Sequence, residues 1–157
     1  MKLKAKVSQI RNPIPSPDSE QPVRYVLSFP GHCPAKKSLY RRRRGGGLFL
    51  DDEVRGQISR LEWAAREQWG DRPPLNFCDD IVGHFYVLHY KADLDGKWAT
   101  ILDVLQKARV IRNDNMKVIG KSSQVAYKDG PERAVIEIFS PEDSLFEDRA
   151  AFMGSTR

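Results

Sequence analysis

IVGHFYVLHY, residues 81–90, is the stretch that decides the fold. Apolar side chains fall on both of its faces, which suits a strand covered on both sides, so it predicts the central strand of a sheet. Its far end delivers the chain to Asp93. Downstream, a helical period predicts a helix over about Lys97 to Arg109, with Trp98, Ile101, Leu102, Leu105 and Ala108 facing inward. Upstream, DDEVRGQISRLEWAAREQWG reads as an amphipathic helix. Asp51 caps it, Asp52 and Glu53 suit the positive end of its dipole, and Gly70 ends it. Val54, Ile58, Leu61, Ala65 and Trp69 form its buried stripe, and Trp63 falls opposite.

The remaining segments extend the sheet. KLKAKVSQI alternates as a first strand, NPIPSPDSEQP is a proline-rich loop, and VRYVLSF (Val23 to Phe29) is a second strand. VAYKDGPERAVIEIFS reads as a hairpin: Val125 to Lys128, a turn at Asp129 and Gly130, then Ala134 to Phe139. The order β-β-α-β-α-β-β predicts a single α/β (mixed α+β) domain, a mixed sheet with two main helices packed on it. The domain is expected over 1–140, with a polar tail over 141–157.

Composition narrows the function classes. The chain has 157 residues, 40% hydrophobic and 30% charged, enough for one domain with a real core. No apolar run reaches the roughly 18 residues of a membrane span, and MKLKAKVSQI lacks the hydrophobic region of a signal peptide. A cytoplasmic location is expected. Cys33 and Cys78 lie far apart and form no CxxC motif, which suits a reducing compartment.

The net charge is +5, and its distribution says more than its size. Lys36, Lys37, Arg41, Arg42, Arg43 and Arg44 crowd into nine residues beside three glycines. This segment alone exceeds the whole surplus, so the rest of the chain sums to near neutrality. The pattern is that of a localised basic loop from Pro30 to Gly47, a mobile arm suited to holding a phosphate backbone. Tyr40 and Phe49 flank it and could stack on unpaired bases; core packing is the competing use of Phe49.

Asp93 and Asp95 stand two residues apart after the central strand. If that stretch is extended, both carboxylates point to one side, where they repel unless a cation shares the space. Mg²⁺ suits such a place, taking one or two carboxylates and keeping positions for water and phosphate oxygens. Asp114 could return to the site after the helix. The bland alternative is that Asp95 caps the helix and Asp114 closes a loop. A zinc site built from His32, Cys33, Cys78, His84 and His89 matches no familiar spacing, and no Walker motif or serine–histidine signature is present.

The segment from Asp93 to Asp114 resembles the signature of the RusA-type Holliday-junction resolvases, in which D-x-D-N-x-x-K opens a helix of the type LLDALxKAGVIxDDSQ. Asp93 and Asp95 match the first two acids, ILDVLQKARVI (Ile101 to Ile111) the helix and its exit, and Asp114 the second acid of the later pair. The resemblance implies a homodimeric, Mg²⁺-dependent endonuclease, with Mn²⁺ as a substitute, that nicks opposed strands of a four-way DNA junction. It implies Asp93, Asp95 and Asp114 as metal ligands. Gly96 stands where the motif has asparagine, Asn113 where it has its first late acid, and Ala99 where it has its lysine. Lys97 is the nearest replacement as a catalytic lysine. Two rival readings remain: a non-catalytic or weakly active branched-DNA-binding protein on the same fold, and a general nucleic-acid-binding domain whose aspartates are caps.

Overall fold

The computed structural model of the chain describes residues 22–36, 40–42, 44–88 and 93–141. Its elements, in order, are β1 (Val23–Pro30), β2 (Tyr40–Arg42), β3 (Leu48–Leu50), α1 (Asp52–Trp69), β4 (Asp80–Tyr86), α2 (Leu94–Lys107), β5 (Ser122–Tyr127) and β6 (Arg133–Ser140). The expected strand at KLKAKVSQI, the proline-rich loop and the C-terminal tail beyond Pro141 lie outside the described residues.

The expected mixed sheet with two helices is present. Four strands run in the order β1-β6-β4-β5, with β4 parallel to β5 and antiparallel to β6. β4 is an inner strand, as its apolar character predicts. One correction concerns its neighbours. β5 and β6 do not form a hairpin; they lie on opposite sides of β4, and β6 also pairs with β1. The turn signal at Asp129 and Gly130 is local, whereas strand pairing is settled by burying β4 on both edges.

Both helices cover one face of the sheet. Leu27, Phe29, Ile81, Phe85, Ala134, Ile136 and Ile138 from the strands share a core with Leu61, Ala65 and Trp69 of α1 and Trp98, Ile101, Val104 and Leu105 of α2. Gly83 makes close packing of α2 achievable: a Cβ there would stand 2.6 Å from the Trp98 ring. Trp63 stays 64% exposed, as its position opposite the stripe predicts. On the other face, a chain of side-chain bonds crosses all four strands: Arg24 to Glu137 (2.7 Å), Glu137 to His84 (2.7 Å) and His84 to Tyr127 (2.9 Å).

Part of the basic loop forms a hairpin. β2 and β3 form an antiparallel hairpin whose register sets Arg41 opposite Phe49. Gly45, Gly46 and Gly47 turn it with φ of 95°, 99° and 89°, a run that only glycines adopt without strain.

Candidate functional site

The first turn of α2 carries the first two aspartates. The helix begins at Leu94, three residues before the expected start, because Asp93 caps it: its Oδ1 accepts from the Gly96 N–H at 2.9 Å. Asp95 therefore lies within the first turn and is not the cap. The expectation of an extended Asp93–Asp95 stretch with both carboxylates on one side is thereby corrected. The Asp93 carboxylate folds back over the helix start, while Asp95 Oδ1 accepts from Gln124 Nε2 on β5 at 2.6 Å. Both negative charges sit at the positive end of the helix dipole, which favours them.

Gly96 explains one departure from the resolvase motif. A Cβ at this position would lie 2.7 Å from Asp93 Oδ2 and 2.9 Å from Ala35 Cβ. Asparagine would push the 33–36 segment off the helix, so glycine permits the root of the basic hairpin to pack against the acid-bearing turn.

Lys97 fastens the same joint. It is only 5% exposed, and its Nζ donates to the Cys33 carbonyl at 2.6 Å and stands 3.5 Å from Glu132 Oε1. Glu132 is shared with His32 Nδ1 at 2.8 Å. Burial pushes the Glu132 carboxyl up, but the His32 hydrogen bond and the His32 and Lys97 charges outweigh it and hold the group below its ordinary value. Burial also pushes the Cys33 and Cys78 thiols up to about 12, so neither is a thiolate at neutral pH. Lys97 thus points inward to the backbone of the loop rather than to the surface.

Asp114 lies elsewhere. Leaving α2, the chain pairs beside the segment preceding β4: the Leu75 N–H donates to the Val110 carbonyl, the Arg112 N–H to the Leu75 carbonyl, and Ile119 bridges to Cys78. α2 is about 20 Å long at 1.5 Å per residue, and Asp114 follows its last residue, Lys107, by seven positions. Among the described residues, no three His, Cys, Asp or Glu side chains gather to hold a metal ion. Two carboxylates on one turn fit the low protein-ligand count of Mg²⁺; Asp114 is not gathered with them.

Of the expected phosphate-binding residues, Lys36 lies at the hairpin root, its Nζ 2.9 Å from Asp103 Oδ2 on α2. Arg44 is exposed at the tip. Lys37 and Arg43, and the side chains of Tyr40, Arg41 and Arg42, lie outside the described residues, as does His89. A cavity of about 220 Å³ under the hairpin is bordered by Lys36, Arg55, Asp103 and Lys107. Gln124 and Glu132 were missed in the sequence, and His32 was weighed only as a zinc ligand, since their roles depend on pairings between elements distant in the chain.

Over 84 residues, 52% of its length, the chain is 34% identical to a protein described as crossover junction endodeoxyribonuclease RusA from Aquifex aeolicus (strain VF5). It covers 64% of that relative's length. No family model matches the chain. The similarity supports a RusA-like relationship. No helix among the described residues is long and apolar enough to cross a membrane.

Proposed function

We propose that this chain is a metal-dependent endonuclease of branched DNA, working in the cytoplasm as a homodimer that places paired nicks in a four-way junction. One observation carries the reading: the basic hairpin is rooted on the helical turn that bears Asp93 and Asp95, through Lys97 to Cys33 and Ala35 against Gly96. A backbone held by Lys36, Lys37 and Arg41 to Arg44 is thereby brought to the two carboxylates and the positive end of α2. The curated relative's name supports the same substrate class.

Asp93 and Asp95 would hold Mg²⁺, with Mn²⁺ as a substitute, and the bound ion would supply an acidified water and neutralise phosphate charge. Gln124 holds the Asp95 carboxylate in one orientation. Lys97 acts as a positioning residue, tying the phosphate-binding hairpin to the acids. Asp114 would join the site from a second copy, since it is not gathered with Asp93 and Asp95 in its own chain. A two-fold pair then has two equivalent sites, each sharing residues of both subunits.

Mixing two inactive variants tests this. In a heterodimer of Asp93→Asn with Asp114→Asn, one composite site carries both changes and the other carries neither. Single nicks on a labelled four-way junction should reappear on mixing, without paired cutting. If each site belongs to one chain, mixing restores nothing. Wild-type binding without cutting in Mg²⁺ or Mn²⁺ would overturn the nuclease reading in favour of a branched-DNA-binding protein.

A further inference from the structure

The near neutrality of the chain outside the basic arm hides a second concentration of charge. Residues 107–121 carry five cations, Lys107, Arg109, Arg112, Lys117 and Lys121, against one acid, Asp114. All five cations are exposed. Arg109 and Arg112 follow the end of α2, and Lys117 precedes the segment that pairs beside Cys78; Lys107 faces Glu62 at 3.8 Å and Lys121 faces Asp80 at 4.0 Å.

A broad bowl of about 670 Å³ opens at this end, lined by Asn76, Arg112, Asn113, Asn115 and Lys117 above Phe77 and Val118. Its rim is held in shape. Arg112 Nη1 donates to Asn76 Oδ1 at 3.0 Å, the Lys117 N–H donates to Asn115 Oδ1 at 3.0 Å, and the Val118 and Ile119 N–H groups close on the Asn115 carbonyl. Carboxamides and guanidinium are the groups that pair with base edges, and exposed lysine and arginine are those that meet phosphates. The polar groups of the lining are carboxamides and cations, and the bowl is too wide for a lone phosphate.

Arg109 supplies an independent observation. It alone among the described non-glycine residues has positive φ, 60°. The resolvase motif quoted above has glycine at the corresponding place. A side chain held in the left-handed region is strained, and such outliers cluster where a residue is wanted for its chemistry. The side chain that carries this strain is cationic and exposed, three residues before Arg112 of the bowl.

We propose that this end of the domain is a second DNA-binding site. Arg109, Arg112 and Lys117 would hold the backbone of one duplex arm, and Asn76, Asn113 and Asn115 would face its base edges. That the ligand is DNA rests on the nuclease reading; the site itself rests on its charge and lining. With Asp114 serving a second copy, the bowl flanks the phosphate to be cut, so it is placed to decide which sequence is nicked.

The test is binding of a fluorescent four-way junction and of a linear duplex in EDTA, across a series of salt concentrations. Wild type is compared with Arg112→Ala/Lys117→Ala and with Arg109→Gly. Losing two phosphate contacts lowers the salt slope by about 1.8, so between 50 and 200 mM salt the double variant should lose about twelvefold less affinity than wild type. Arg109→Gly should melt higher while binding DNA more weakly, a split that a purely structural arginine would not produce. Equal salt slopes in folded proteins would overturn the proposal. If wild type binds in this manner but never cuts, the nuclease reading fails and the site stands. If it cuts and the variants keep the wild-type slope, the site alone fails. If wild type binds no DNA, both fail.

Discussion

Lys97→Met tests the joint between the hairpin and the acids. Methionine keeps most of the lysine stem's volume, so little cavity opens, but the Cys33 carbonyl loses its 2.6 Å donor and Glu132 loses its lysine neighbour, keeping His32. Leaving a buried acceptor unsatisfied costs about 1–3 kcal/mol, and relief from burying an ammonium offsets part of it. A net loss of about 2 kcal/mol should lower the melting temperature by roughly 4–8 °C in a chain of this size. The assay is a thermal melt followed by circular dichroism, paired with junction binding in EDTA. Affinity should fall as well, since the hairpin root is no longer fixed to α2. A variant that melts within a degree of wild type, binds DNA normally and yet cannot cut would refute this reasoning. Lys97 would then act on the phosphate itself.

Three further outcomes follow from the geometry. Asp93→Ala removes a helix cap and should destabilise by about 1 kcal/mol, whereas Asp93→Asn caps as well as aspartate and should melt like wild type while losing cutting; comparing melts with nicking separates the two roles. Gly83→Ala puts a Cβ 2.6 Å from the Trp98 ring, and denaturant titration should show a loss of about 1–3 kcal/mol from overpacking. In acid, Glu132 and Glu137 should weaken the fold. Arg24's hydrogen bond leads in holding the Glu137 carboxyl below its ordinary value, against burial and with help from His84. Groups depressed in the folded state contribute stability above their unfolded value and lose it as pH falls through the folded one. Stability should therefore drop below about pH 4.5, the ordinary value for both, and Glu137→Gln should flatten that drop in melts taken between pH 6 and pH 3.

The sequence was most legible where structure is local. α1 has the bounds its caps announce, and β4 holds an inner place that its continuous apolar run requires. It was least legible where distant segments compete. Val125 to Lys128 and Ala134 to Phe139 read as a hairpin because Asp129 and Gly130 are turn formers, yet each segment pairs with β4 instead. Asp93 and Asp95 both read as ligands, with a cap at Asp95 as the alternative; the chain places the cap two residues earlier, at Asp93, and the hydrogen bond from Gln124 to Asp95 spans 29 residues. The inward turn of Lys97 has no local signal either, since it depends on the Cys33 carbonyl 64 residues away.

The position of β6 has a consequence for synthesis. It is the last described strand along the chain, yet it lies between β1 and β4, and its pairing with β1 joins Val23 to Ser140. A nascent chain that has not yet exposed residues 133–140 offers β1 no sheet neighbour and leaves one side of β4 bare. Ribosome-bound chains should therefore hold an unfinished sheet until this strand emerges, with unpaired edges open to holding chaperones or to pairing with other chains. Closure of the sheet is then a late event that joins both ends of the domain at once, and a product truncated before residue 133 has no partial sheet of this order to fall back on.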